Sequence, residues 1–117
     1  MLALLAENVV VPYWSYVSSV KTLLNISSTG TATCSGAITG YQGTTTKVSL
    51  ALYLQQYENG NWENVRNWSN SFNSYRGNLT GTTSVSKGYP YRVKASYTAY
   101  AGSARENIVD YSHVVTY

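Results

Sequence analysis

The sequence predicts an all-β chain, a single antiparallel β-sandwich of seven or eight strands. Three observations predict it. Apolar and polar residues alternate along most of the chain, and no 3.6-residue apolar period persists anywhere. Runs rich in Val, Thr, Tyr and Trp recur between clusters of Gly, Asn and Ser, the punctuation of strands joined by turns. An apolar fraction of 44% over 117 residues suffices for one core and excludes a disordered tail.

Taken in order, the elements begin with "MLALLAEN", residues 1–8. This segment resembles the end of a signal-peptide hydrophobic region and is expected to be a leader remnant or a flexible N-terminus, with the sandwich domain spanning 9–117. In "VVVPYWSYV" the run of valines predicts a strand that Pro12 either confines to an edge or breaks, because proline cannot donate to a ladder. "VKTLLNIS" alternates Val20, Leu24 and Ile26 against polar neighbours before "STG" turns the chain. "TATCSGAITG" places Ala32, Cys34, Gly36 and Ile38 on one face.

"KVSLALYLQQY" carries the clearest alternation, with Val48, Leu50, Leu52 and Leu54 facing the core and Ser49, Ala51, Tyr53, Gln55 and Tyr57 the other way. Asn59-Gly60 then predicts a two-residue hairpin turn, since both central residues of such a turn need positive φ. In "WENVRNWSNSF" the even positions hold Trp62, Trp68 and Phe72 and a bulge is expected between them, with Val65 opposite. "GNLTGTTSVS" is a weaker strand carrying Leu79 and Val85. "YRVKASYTAY" sets Tyr91, Val93, Ala95, Tyr97 and Ala99 against Arg92, Lys94, Ser96, Thr98 and Tyr100. "RENIVDYSHVVTY" closes the chain, with Val109, Tyr111, His113 and Val115 sharing a face.

This order of strands resembles the immunoglobulin and fibronectin type III sandwiches. Cys34 stands where immunoglobulin domains carry their first core cysteine, and "Tyr91-Arg92-Val93" is similar to the Tyr-x-Cys of a tyrosine corner, with valine in the cysteine's place. The resemblance implies that Tyr91 caps the corner through its hydroxyl and that Cys34 packs near Val93 without a disulfide. The strand after Gln42 and Gly43 lacks the inward tryptophan of that family. The "Leu-x-Leu-Gln…Asn-Gly-Asn-Trp…Val" hairpin and the Ser/Thr-rich composition are also similar to small secreted proteins of Gram-positive bacteria. That likeness is one of fold and names no activity.

Chemistry is sparse. With one cysteine and one histidine, the chain offers no zinc cage and no internal disulfide, and its oxygen ligands are not clustered for calcium. No cofactor and no metal site are expected. Glu58 and Glu63 flank a hairpin tip, which supplies neither the cleft nor the burial that a carboxylate pair needs. "Asp110-Tyr-Ser-His113" holds the letters of a hydrolase triad, but strand alternation sends His113 away from Asp110 and Ser112. No catalytic residue is assigned, and no enzyme is expected. The sequons at Asn25, Asn67 and Asn78 are no more than a Ser/Thr-rich composition yields by chance.

The net charge of +3 comes from scattered Lys and Arg with no basic run, so nucleic acid is not expected as a partner. No apolar run nears the ~18 residues that span a bilayer as a helix, so no transmembrane segment is expected. Twelve tyrosines and three tryptophans against one phenylalanine favour half-buried surfaces, because each ring carries a polar tip. If the strands at 46–57 and 90–101 are neighbours, their outward residues make one surface. The candidate ligand-binding residues are therefore Tyr53, Tyr57, Trp62, Arg92, Lys94 and Tyr100. The expectation is a secreted, non-catalytic interaction or adhesion module that meets a protein or a cell-surface glycan. The alternatives are a small carbohydrate-binding domain and a self-associating structural subunit, starting from a homodimer.

Overall fold

A computed structural model describes residues 14–117. Residues 1–8, expected as a leader remnant or a flexible N-terminus, the valine run and Pro12 lie outside the described residues. Eight strands follow: β1 (Val17–Ile26), β2 (Thr31–Gly40), β3 (Lys47–Glu58), β4 (Asn61–Phe72), β5 (Arg76–Ser84), β6 (Pro90–Ala101), β7 (Ala104–Tyr111) and β8 (Val115–Thr116). One sheet has the order β1-β2-β5, and the other β4-β3-β6-β7 with β8 on the end of β6. All pairings are antiparallel. The chain changes sheet between β2 and β3, β4 and β5, and β5 and β6, which makes an immunoglobulin-like sandwich of the predicted class.

The core is the set of inward positions that alternation requires. Val48, Leu50, Leu52 and Leu54 of β3 lie beside Val93, Ala95, Tyr97 and Ala99 of β6, all at most 2% exposed. Ala32, Cys34 and Ile38 of β2 face them from the other sheet. Burying this apolar surface drives the fold, at about 25 cal/mol per Å².

Two buried tyrosines add polar tips that must find partners. Tyr91 Oη donates to the Ser86 carbonyl at 2.6 Å and accepts from Gln56 Nε2 at 3.0 Å. That is the corner which the Tyr-Arg-Val motif implies. Tyr97 reaches across the sandwich, with its hydroxyl 2.9 Å from the Lys21 carbonyl oxygen and 2.8 Å from Thr22 Oγ1. Thr22 Oγ1 donates in turn to Asp110 Oδ2 at 2.8 Å. Glu106 accepts from the backbone N–H groups of Ser15 and Tyr16, both at 2.8 Å. The edges of β1 and β7 are thus laced together by two carboxylates. Burial lifts the Tyr97 hydroxyl above the ordinary tyrosine range. The hydrogen bond with Thr22 opposes the rise, and the nearby Asp110 charge adds to it.

On the opposite flank β4 closes over β5 by matching large residues to absent ones. A methyl group at Gly81 would run into the Trp68 indole, and one at Gly77 into the Phe72 ring. Gly81 is paired with Cys34 in the ladder. The aromatic cover over this part of the core therefore arrives from β4, through Trp68, where β3 carries no tryptophan.

Two local features depart from simple alternation. The β3–β4 register shifts between Leu54 and Gln55, leaving Val65 as the extra residue of a bulge. Trp68 and Phe72 stay on the core side of it, while Trp62 emerges on the outer face. The final segment is not one strand. β7 ends at Tyr111, and Ser112 turns inward so that its hydroxyl accepts from the Val93 N–H at 2.8 Å. This break separates exposed Val109 and Tyr111 from Val115, which packs on the core, so the face expected to be shared by these residues is divided. His113 is exposed, Asp110 Oδ2 accepts from Thr22 Oγ1, and Ser112 Oγ donates to the His113 carbonyl at 2.9 Å.

Two outcomes test this packing. Gly81→Ala is expected to cost about 1–3 kcal/mol in urea unfolding, through overpacking against Trp68. Part of that loss should return when Trp68 is also changed to Leu, and a loss unchanged in that background would contradict the contact. Cys34 is free and fully buried, and burial pushes its thiol from 9.0 up to about 11. Because the folded value exceeds the unfolded one, this contribution is complete below pH 9 and is lost as pH rises towards 11. Cys34→Ala should flatten the fall of the urea midpoint over that interval, whereas parallel slopes would count against a buried neutral thiol.

Candidate functional site

The β3–β6 ladder pairs Tyr53 with Lys94, Gln55 with Arg92 and Lys47 with Tyr100, all on the outward side. The Asn59-Gly60 turn brings Trp62 opposite Tyr57, and both turn residues have positive φ, at 55° and 82°. The hairpin that Asn-Gly predicts is therefore also the device that delivers Trp62. The Val65 bulge completes the delivery, because without the extra residue Trp62 would share a side with Trp68.

Arg92 is the centre of the face. Its guanidinium carbon lies 4.3 Å from the Trp62 ring centre and 4.4 Å from that of Tyr111. Tyr57 leans on Trp62 at 5.1 Å with a 58° tilt. The result is a row of contacts Tyr57–Trp62–Arg92–Tyr111 across the sheet. A cation over an aromatic face contributes about 0.5–1 kcal/mol when exposed and about 2 when desolvated.

Beneath the row runs a relay whose direction is set by chemistry. Arginine can only donate, and Arg92 Nε donates to Gln55 Oε1 at 2.8 Å. That fixes the Gln55 amide, whose Nε2 donates to Asn64 Oδ1 at 2.9 Å. Asn64 is left presenting its Nδ2 donor. Gln55 faces outward by parity yet is only 7% exposed.

Beside the row, Tyr53, Asn64, Lys94, Ser96 and Val109 line a shallow notch of about 230 Å³. The sequence-derived candidates thus divide. Tyr57, Trp62 and Arg92 touch one another in the row, and Tyr53 and Lys94 flank it in the notch. Tyr100 stands apart. Its ring takes Lys47 at 5.2 Å, and it lies six residues along β6 from Lys94, roughly 20 Å away at strand rise. A second cleft of about 410 Å³ lies across the molecule, at the β2–β5 margin near Phe72 and Arg76.

Tyr111, Val109 and Asn64 were not among the candidates. A signal for the first two was present in the "AGSA" turn. If Gly102 and Ser103 form a two-residue loop, Ala101 faces Ala104, and counting back sets Lys94 opposite Tyr111. Asn64 depended on the bulge position, which alternation alone does not give.

The fold and face together define an all-β antiparallel sandwich with an aromatic and cationic outer surface. No family model and no curated protein matches the chain. Among solved structures, the solution structure of R. palustris CsgH is similar at 16% identity and a TM-score of 0.40, over 80% of this chain and 89% of that one. Among the described residues no group of His, Cys, Asp and Glu is arranged to hold a metal, and no helix is long and apolar enough to cross a membrane.

The row should behave as a coupled unit. Arg92→Met is expected to cost about 1 kcal/mol in urea unfolding, and clearly less once Trp62 is Leu. Equal costs in the two backgrounds would mean that the ring and guanidinium do not interact.

Proposed function

We infer that this chain is a non-catalytic, exported binding module that meets another protein through the outer face of the β4-β3-β6-β7 sheet. The observation that carries this is the Arg92 contact shared by Trp62 and Tyr111. Tyrosine, tryptophan and arginine are the residue types enriched at protein interfaces and at their hot spots. Here they are already held together before any partner arrives, which lowers the ordering cost of binding. Tyr57, Val109 and Tyr111 are each at least 40% exposed on the same face. Export is supported by the short apolar N-terminal run and the Ser/Thr/Tyr-rich composition.

Carbohydrate binding is the second reading, favoured by the number of exposed rings beside hydroxyl and amide groups. Stacking on a sugar needs an open ring face, however, and Trp62 has Arg92 over its ring and Tyr57 against it. The rims of such rings suit side-chain contact better than pyranose stacking.

Photo-crosslinking separates the two readings. A benzophenone side chain placed at Val109 should capture discrete protein adducts from the organism's own secreted and surface proteins. The same group at Ser35, on the outer face of the other sheet, should not. Saturable binding on a glycan array that is lost in Trp62→Ala, with no protein adduct at Val109, would replace the protein reading by the carbohydrate one.

A further inference from the structure

The outer face of the larger sheet carries charge of one sign. Its outward positions hold Lys47, Arg92, Lys94 and Arg105 and no carboxylate. The acidic residues among those described are committed elsewhere. Glu106 and Asp110 point inward onto the Ser15 and Tyr16 N–H groups and onto Thr22. Glu58 and Glu63 sit at the β3–β4 hairpin end on the opposite side, by the parity of their pairing with Asn61 and Gln56.

The notch offers a fixed cation in Lys94 and an amide donor in Asn64, beside the Tyr53 and Ser96 hydroxyls, and no carboxylate. Lys94 has only donors to offer, and the Arg92–Gln55–Asn64 relay consumes the Asn64 oxygen and leaves its Nδ2. Among the described residues, the side-chain hydrogen bond of Arg92 runs from Nε to Gln55, and its Nη groups donate to no protein acceptor. Fixed positive charge and free N–H donors, with no carboxylate among the lining residues, select an anionic acceptor, and the neighbouring Val109 and Tyr111 select apolar contact beside it.

We propose that the occupant of this face is an acidic polypeptide segment. One of its carboxylates enters the notch against Lys94 and Asn64 Nδ2, and its apolar side chains cover Val109 and Tyr111. This rests on the protein-binding reading above and adds the partner's chemistry to it. A second copy docked by the same face would set four cations against four, which disfavours a two-fold dimer there. A nucleic acid would need a denser basic track and open rings for base stacking. An anionic polysaccharide meets the same closed ring faces as a neutral one.

The test uses a fluorescein-labelled random Glu/Tyr copolymer, with polygalacturonate and duplex DNA at equal charge, each titrated into the full chain at low and moderate salt. The copolymer should bind saturably and more weakly at the higher salt. Lys94→Glu and Asn64→Asp should each weaken it at least tenfold, while Lys21→Glu, on the other sheet, leaves it within twofold. Circular dichroism and the urea midpoint of each variant certify folding.

Absence of copolymer binding overturns the proposal, as does equal loss in Lys21→Glu, which would mean net charge alone. Tighter binding of polygalacturonate or DNA also overturns it. So does a dimer seen by sedimentation that dissolves in Lys94→Glu, which would assign the face to a second copy. Adducts at Val109 that persist while the copolymer fails to bind would leave the protein-binding reading standing and remove only the acidic partner. Loss of those adducts would remove the reading itself.

Discussion

Ten consecutive residue pairs join β3 to β6, from Lys47 opposite Tyr100 to Gln56 opposite Tyr91, and most of what this molecule does follows from that ladder. Its inward parity assembles the centre of the core, including fully buried Leu52, Leu54, Val93 and Tyr97. Its outward parity sets Tyr53 beside Lys94 and Gln55 beside Arg92. A slip of one residue would exchange the two sets and place arginine and lysine in the core, a cost that pins the register. Stability and the candidate surface are therefore two sides of one constraint. The outer face can carry cations with no carboxylate among its own strand positions because the inner face holds the register.

The polar lacing between sheets shapes that surface indirectly. Tyr97 and Thr22 connect β6 to β1 and to Asp110, and Glu106 holds the entry to β1 by two backbone N–H groups. Buried or half-buried carboxylates are retained only where donors satisfy them, and here the donors lie on the neighbouring sheet. Drawing these two acids inward leaves Arg105, Lys94 and Arg92 without a counter-charge on the outer side of the strands that supply them. The same choice that ties the sandwich together gives its face a sign.

Much of the architecture was legible in the sequence because period-2 alternation and turn chemistry are local signals. Asn59-Gly60 announced its hairpin, the Tyr91 corner was implied by three residues, and the pairing of β3 with β6 placed Tyr53 and Lys94 correctly side by side. What was hidden is non-local. Tyr111 becomes part of the surface only through the register of β7 on β6, and Tyr100 leaves it only because six residues of strand separate it from Lys94. The small size of Gly77 and Gly81 is uninformative until Phe72 and Trp68 are known to press on β5. Ser112 likewise looks like a strand residue until its hydroxyl is seen to take the Val93 N–H and end the strand.

The candidate surface exists only if Arg92 is held in place, with its Nε–H given to Gln55 and its guanidinium against Trp62 and Tyr111. Side-chain ¹H–¹⁵N NMR of the arginine Nε–H groups tests it most directly. The Arg92 signal should be shifted upfield by the ring currents, exchange slowly with water and show cross-relaxation to both rings. An Arg92 Nε–H that exchanges as fast as that of exposed Arg105, with no contact to either ring, would mean that the row is not formed in solution.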